Sequence, residues 1–376
     1  MKVLLVNISL DAERGGGTAE RTRHLATHLA KAGASCEVMG MNGNSWQSEF
    51  DGLGVKTYIT GHLGNRFPLP LLNPWRAWRA VRNADVIHIM GYWNLLSVAI
   101  GLLALIGRRP YVLCPAGEFA SVGSPRPVMK IFHLCLGRWL IKAASGFIAI
   151  TQLEQQMIAR VAGVPQESVA IVGNAVSEPE ASAVGAPLTL PSEPFILFMG
   201  RLAPVKGPDL LIQAYIDTPE AHPYPLVMAG PDFGMQHDLQ ALASASGLLD
   251  RIHFIGFLDE TQRTQAYRRA MMLVIPSRSE AMSLVALEAG VVGLPVLLTD
   301  TCGFEQVEEV GGGLVVPASS MGIAKGLRAM LADHQELKLR GDRLRTLVMG
   351  QYTWTATVQT LLRRFQSLIN NRSLMG

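Results

Sequence analysis

Two carboxylates eight positions apart, Glu280 and Glu288, stand in a stretch that reads P-S-R-S-E-A-M-S-L-V-A-L-E-A-G from Pro276 to Gly290. The apolar run Met271–Ile275 ends at Pro276, as a buried strand should before a residue that cannot join a ladder. Leu284, Val285, Leu287 and Ala289 then begin a helical pattern, with Ser283 placed as its N-cap. The stretch is therefore a strand, a tight loop and a helix N-terminus, whose orphan N–H groups favour an anion. Glu280 just before the helix and Glu288 in its second turn could bracket a phosphate-bearing ligand. Taken alone, the two also read as a turn residue and a solvated helix residue.

A matching cationic element lies upstream. Phe195–Met199 reads as a strand, followed by Gly200-Arg201-Leu202-Ala203-Pro204-Val205-Lys206-Gly207 and a helix from Pro208. Arg supplies a planar fork and Lys a mobile point charge, which together suit a diphosphate. The loop is not a Walker A sequence, because no G-K-[ST] follows a four-residue spacer. The strand Leu226–Ala229 delivers Gly230-Pro231-Asp232, a tight crossover. The strand Ile252–Ile255 delivers Gly256-Phe257-Leu258, whose amides and aromatic ring suit a base.

In the first half, Lys2–Asn7 reads as a buried strand and Ile8–Arg14 as a loop. Gly15-Gly16-Gly17 opens a helix over Thr18–Lys31, stopped by Gly33, and Ser35–Met39 is the second strand. This is a Rossmann-like start, but a dinucleotide fingerprint needs glycine where Glu20 stands and an acid where Met39-Gly40-Met41 runs, so an NAD role is rejected. The glycines allow close backbone approach to a ligand, or form a flexible turn. His88 lies near the carboxyl end of the strand Asp85–Met90, where open α/β sheets bind ligands; a satisfied core histidine competes with that reading. Glu118, after Tyr111–Cys114, is a second polar group at a strand end.

These elements need a scaffold of parallel sheets. Further strands are read at Gly146–Thr151, Ser168–Val172, Pro295–Thr299 and Gly311–Val316, alternating with helices in both halves. A chain of 376 residues, 49% apolar and 17% charged, suits two α/β domains. The Pro-rich residues 176–194 form the linker between residues 1–175 and 195–352, and a last helix occupies 353–376. Residues 1–185 carry 17 Lys and Arg against 12 acids, the remainder 16 against 18, so the first half suits an anionic membrane surface. Arg66, Arg76, Arg79 and Arg82 interleave with Phe67, Trp75 and Trp78, and a helix over Pro127–Ala144 sets Lys130, His133, Arg138 and Lys142 against apolar residues. Either segment could lie on a bilayer or pack as an ordinary surface helix. No Lys/Arg block has a nucleic-acid pattern. Cys36, Cys114, Cys135 and Cys302 read as thiols in a reducing cytosol. No signal peptide or spanning segment is read.

Together, G-R-L-x-P-x-K-G (Gly200–Gly207), A-G-P-D (Ala229–Asp232), the G-F-L segment and E-x7-E followed by A-G resemble the retaining GT-B glycosyltransferases of family 4. The resemblance covers nearly the whole chain. It implies two Rossmann-like domains facing across a cleft, a final helix crossing back onto the first, and a nucleotide-sugar donor with a glycan or lipid-linked acceptor. Arg201 and Lys206 would bind the donor diphosphate, Glu288 the ribose and Glu280 the donor sugar, with Gly200 and Gly230 in the same set. Amides of Met282, Ser283 and Leu284 would meet the distal phosphate, Phe257 and Leu258 would border the base, and Gly16 and Gly17 match the family's glycine loop.

The chain departs from the family at Ala281-Met282-Ser283 for G-F-G, at Ala116-Gly117 for His-Gly, and at Gly173-Asn174-Ala175 for P-N-G. With no His at 116, Glu118 and His88 are the polar groups available there. The resemblance implies a front-face retaining reaction in which the departing diphosphate accepts the acceptor's proton; covalent catalysis by Glu280 is the lesser alternative. No metal or cofactor is implied, and the setting is cytoplasmic, on the inner face of a membrane, in bacterial surface polysaccharide synthesis. A nucleotide-sugar epimerase and a silent sugar-nucleotide-binding protein are the competing functions.

Overall fold

The computed structural model describes residues 1–11, 15–64, 68–122, 126–177, 188–280 and 282–373. Arg66, Phe67, Ala281, the end of the first loop and most of the Pro-rich stretch lie outside the described residues. The chain divides into two compact units, one of Met1–Asn174 with the chain from Trp354 onward, the other Ala175–Thr353.

Short apolar runs with no polar alternation make strands buried on both faces, which only a parallel sheet covered by helices provides. The strands of the first unit are β1 (Lys2–Val6), β2 (Ser35–Gly40), β3 (Lys56–Ile59), β4 (Val86–Met90), β5 (Tyr111–Cys114), β6 (Gly146–Ala149) and β7 (Val169–Ile171). They form one sheet of order β3-β2-β1-β4-β5-β6-β7, every neighbour parallel. The second unit repeats the plan with β8 (Ile196–Met199), β9 (Leu226–Ala229), β10 (Ile252–Gly256), β11 (Met272–Ile275), β12 (Val296–Thr299) and β13 (Gly313–Val316), ordered β10-β9-β8-β11-β12-β13. In each sheet the order reverses beside the first strand, and loops at the carboxyl ends there are where such sheets bind ligands. Register is set by the apolar runs: Ile196 of β8 sits between Leu226 of β9 and Met272 of β11.

The sequence reading passes over β3 and the small antiparallel pair His62–Leu63 with Leu69–Pro70. Lys56–Ile59, at the sheet edge, is exposed at both ends and half-exposed between, so it lacks the continuous apolar run that marks the more central strands. The helix foreseen over Pro127–Ala144 is present as Pro127–Phe132, a π turn at His133–Gly137 and Arg138–Lys142. Gly137 admits the Tyr92 hydroxyl into the space a Cβ would fill, and that hydroxyl meets His133 Nδ1 at 2.6 Å.

The last helix, Trp354–Ser373, packs in the first unit. Trp354 stacks on His24 with centroids 4.7 Å apart, and Phe365 lies 6.1 Å from His88. Burial holds the His24 pKa down to about 4 and that of His88 to about 3. An unfolded histidine titrates near about 6.5. Below that pH the unfolded chain binds protons the folded chain refuses, so stability is full above it and falls as pH drops toward the folded values. Urea unfolding at descending pH should show the midpoint decline below pH ~6.5, by roughly 1 kcal/mol per pH unit for the fully buried His88. His24→Gln should flatten part of that slope; a midpoint that stays level down to pH ~5 would contradict the burial of both rings.

Candidate functional site

The loops that leave β10, β9, β8 and β11 are joined side by side through their backbones. Gly230 N donates to Gly256 O at 2.7 Å, Gly200 N to Ala229 O at 2.9 Å, and Leu202 N to Pro231 O at 2.9 Å. Gly230 is required here: at φ 141° a Cβ would stand 1.9 Å from Gly200 O. Between β8 and β11 the approach is as close. Gly207, at φ 64°, would place a Cβ 2.1 Å from Pro276 O. Arg278 fastens the same two loops, its backbone N donating to Val205 O at 2.8 Å and its guanidinium pairing with Asp209 through contacts of 2.9 and 2.5 Å.

This seam brings Lys206 to Glu280, with Nζ 2.8 Å from Oε1 and side chains 25% and 9% exposed. The Ser277 hydroxyl also donates to Glu280. Thr299 and Thr301 hydroxyls both donate to Ser277 O, at 2.5 and 2.6 Å, and Glu280 N donates to Thr301 O at 2.9 Å. The acid is thus fixed from both neighbouring loops. Arg201 is exposed, its guanidinium 5.2 Å from the centre of the Phe233 ring. Phe257, at the end of β10, is 73% exposed, whereas Leu258 is buried.

Ser283 takes the N-cap position of the helix Leu284–Val292, but its hydroxyl makes no cap bond and is buried without a partner. Its amide, expected to face a phosphate, donates instead to Cys302 O at 3.1 Å, because the loop packs on the turn after β12. Met282 is buried and Leu284 partly exposed beside it. Glu288 belongs to a different set of contacts. Tyr267 donates its hydroxyl to Oε2 at 2.7 Å and Arg263 reaches Oε1 at 3.4 Å. Burial and the Glu288 charge push the Tyr267 pKa up, so the phenol stays a donor. Tyr267, Arg263, Arg278, Ser277 and Phe233 escape the sequence reading: they lie tens of residues from the groups they hold, or in turns of ordinary composition.

In the first unit, Gly16 and Gly17 begin the helix Gly16–Lys31 at the end of β1, and a Cβ on Gly17 would meet nothing within 4 Å. Gly15 is the tight one, where a Cβ would stand 2.3 Å from that of Ala19. Glu118 lies at the end of β5. Its Oε2 accepts from the amides of Tyr92 and Trp93, the latter at 2.9 Å. Burial pushes its carboxyl above the ordinary range, opposed by those two amides. Glu154 holds the preceding turn by accepting from Gly117 N at 2.6 Å and Ile150 N at 2.7 Å. His88 is not brought to an accessible place: it is 1% exposed, and its Nε2 has no partner. The central residue of β4, it is a neutral buried ring, but not the satisfied core histidine of the competing reading, since Nε2 lacks a partner among the described residues.

Known proteins share this plan. Residues 16–175 match the family described as glycosyl transferase 4-like domain, and residues 186–346 match glycosyl transferases group 1. A D-inositol 3-phosphate glycosyltransferase of Nocardia farcinica is 29% identical over 308 residues, 76% of this chain and 67% of that protein. One of Kineococcus radiotolerans is 25% identical across 95% of this chain and 92% of its own. The structure of Anabaena Alr3699/HepE in complex with UDP superposes with a TM-score of 0.77 at 19% identity, covering 98% of this chain and all of that one. Two doubly wound parallel sheets in this order are the halves of a GT-B protein. The chain belongs to the group 1 glycosyltransferases, of family 4 type.

Replacing Gly207 by Ala should cost roughly 1–3 kcal/mol of stability, because both the backbone region and the Pro276 carbonyl oppose a Cβ. Thermal denaturation beside Gly17→Ala, where the added methyl has room, checks this; equal midpoints for the two variants would contradict the seam.

Proposed function

We propose that this glycosyltransferase is a retaining, metal-independent enzyme that moves a hexose from a UDP- or GDP-sugar to a glycan or lipid-linked acceptor, at the inner face of a membrane, in bacterial surface polysaccharide synthesis. The observation that carries the donor reading is the Lys206–Glu280 pair beside a helix N-terminus whose N-cap hydroxyl is buried without a partner. A phosphate would offer an acceptor to Lys206, to the Ser283 hydroxyl and to the first-turn amides.

Arg201 and Lys206 bind the diphosphate, Glu280 the sugar hydroxyls and Glu288 the ribose, with Tyr267 and Arg263 fixing the Glu288 carboxylate. Phe257 lies against the base. Glu118 is assigned to the acceptor. In the reaction the bond from the anomeric carbon to the diphosphate oxygen breaks, and the acceptor oxygen bonds to the same face. The acceptor's proton passes to the departing diphosphate. Cations and amides set before the reaction stabilise the charge that develops on that leaving group. Glu280 is engaged by Lys206 and Ser277, which favours sugar recognition over nucleophilic attack.

UDP is the first nucleotide to test, being the ligand in the HepE complex. In a thermal-shift panel of UDP, GDP, ADP and NAD, a nucleoside diphosphate at ~100 times its Kd should add about 2.7 kcal/mol. Lys206→Ala and Glu288→Ala should each weaken that stabilisation, while Ala116→Ser leaves it intact. Stabilisation by NAD alone would overturn the donor reading, and inverted anomeric configuration of the product would overturn retention.

A further inference from the structure

Two phenylalanines are exposed among the described residues, Phe257 at 73% and Phe233 at 56%, and both stand at strand ends of the second unit. Phe257 is assigned to the base, but nothing in the donor reading uses Phe233. We infer that Phe233 is a positioning residue for Arg201: its ring holds the guanidinium in place and leaves the N–H groups free for the diphosphate. The turn that bears the ring is fixed from within. Asp232 Oδ1 accepts from the amides of Gly234 and Met235 at 2.9 Å and of Gln236 at 3.0 Å, which closes the chain ahead of the helix Gln236–Ala245. The same turn is laced to the loop after β8, where Leu202 N donates to Pro231 O at 2.9 Å and Phe233 N to Leu202 O at 3.1 Å. Leu202 is buried and Arg201 is its neighbour in the chain. Backbone contacts therefore deliver the ring to the guanidinium, which lies over it at 5.2 Å.

The three cations of these loops are held in different ways. Arg278 is spent on Asp209 and Pro204 O, and Lys206 meets Glu280. Among the described residues no acceptor pairs with Arg201. A guanidinium donates through five N–H groups. A carboxylate partner would occupy some of them and compete with an incoming diphosphate. An aromatic ring attracts the cation through its face and takes none of the donors. A long exposed side chain without any partner samples many rotamers, and fixing it only when the ligand arrives costs binding energy. The ring at 233 lowers that cost beforehand. Arg201 is thus restrained without being neutralised, which suits a group whose task is to meet negative charge.

The proposal rests on the donor reading, which gives Arg201 its ligand. It is tested by calorimetric titration of the full chain with UDP, or with GDP if only GDP binds the parent. Phe233→Ala should weaken binding roughly two- to fivefold, the fold-change of a surface cation–π contact. Phe233→Leu, which keeps apolar bulk without a ring, should show the same loss, and Phe233→Tyr should restore the parent's affinity. In an Arg201→Ala background Phe233→Ala should add no further loss, because the ring acts through the guanidinium. The thermal midpoints without ligand should agree across the Phe233 variants, since the ring is exposed. Full affinity in Phe233→Ala or Phe233→Leu would overturn the proposal. So would an equal loss in the Arg201→Ala background, which would place the ring on the ligand itself. A loss that tracks a lowered midpoint without ligand would also overturn it, making the ring a support of the fold alone. Nucleotide binding by the parent that Phe233→Ala leaves unchanged removes the positioning role alone. A parent that binds neither UDP nor GDP removes the donor reading, and this role with it.

Discussion

The carbonyl oxygen of Pro276 occupies the place where a side chain at position 207 would begin. The loops after β8 and β11 can meet only through a residue without a Cβ, and the rest of the site follows from that meeting. Because the backbones touch, Arg278 reaches Asp209 and Pro204 O, and Lys206 reaches Glu280. A larger residue would push the loops apart and leave the half-buried Lys206 ammonium without its carboxylate partner. On the neighbouring strand, Gly230 does the same under Gly200 O. Two glycines thus decide whether four strand ends present one surface or four separate turns.

The ion pair that results is poor evidence of stability, since desolvation offsets most of what two partly buried charges gain from each other. Its value is in position. Glu280 is held by Ser277 and by the Thr301 carbonyl, so it stays in place when Lys206 takes another acceptor. Lys206, on a flexible stem, has further donors to share. A fixed acid and a mobile cation are a better preparation for an incoming anion than a rigid cation, because the charge needs little reorganisation when the anion arrives. Ser283 points the same way. An unpartnered hydroxyl costs about 1–3 kcal/mol in a folded interior, and no partner for this one lies among the described residues.

Most of the fold was legible because parallel strands buried on both faces leave unbroken apolar runs. The runs ending at Met199, Ala229, Ile255, Ile275 and Thr299 mark five of the six second-unit strands to within a residue. β3 was not legible, as an edge strand with half-exposed residues has no such run. At the site, Lys206 and Glu280 could be singled out because both stand at strand-to-helix turns, and the structure brings them together. Residues whose role depends on distance could not be singled out. Asp209 and Arg278 are 69 positions apart, and Tyr267 and Glu288 21 apart, and one sequence contains no trace of which pairs meet. His88 was ambiguous for a related reason, because position along a strand does not tell which way its side chain points.

In the first unit the turn at Ala116 and Gly117 keeps a backbone that an alanine does not favour. Ala116 lies at φ 52°, in the left-handed region, followed by Gly117 at φ 87°. An alanine there costs on the order of 1 kcal/mol and would relax unless held. It is held: Glu154 takes the Gly117 amide, and Glu118 takes those of Tyr92 and Trp93. Two carboxyls raised by burial are costly components for a loop with nothing to present. The loop retains the turn that would display a residue at 116 while offering only a methyl. Glu118 keeps a carboxyl at this edge, anchored through one oxygen by the Tyr92 and Trp93 amides, and burial raises its pKa above the ordinary carboxylate range.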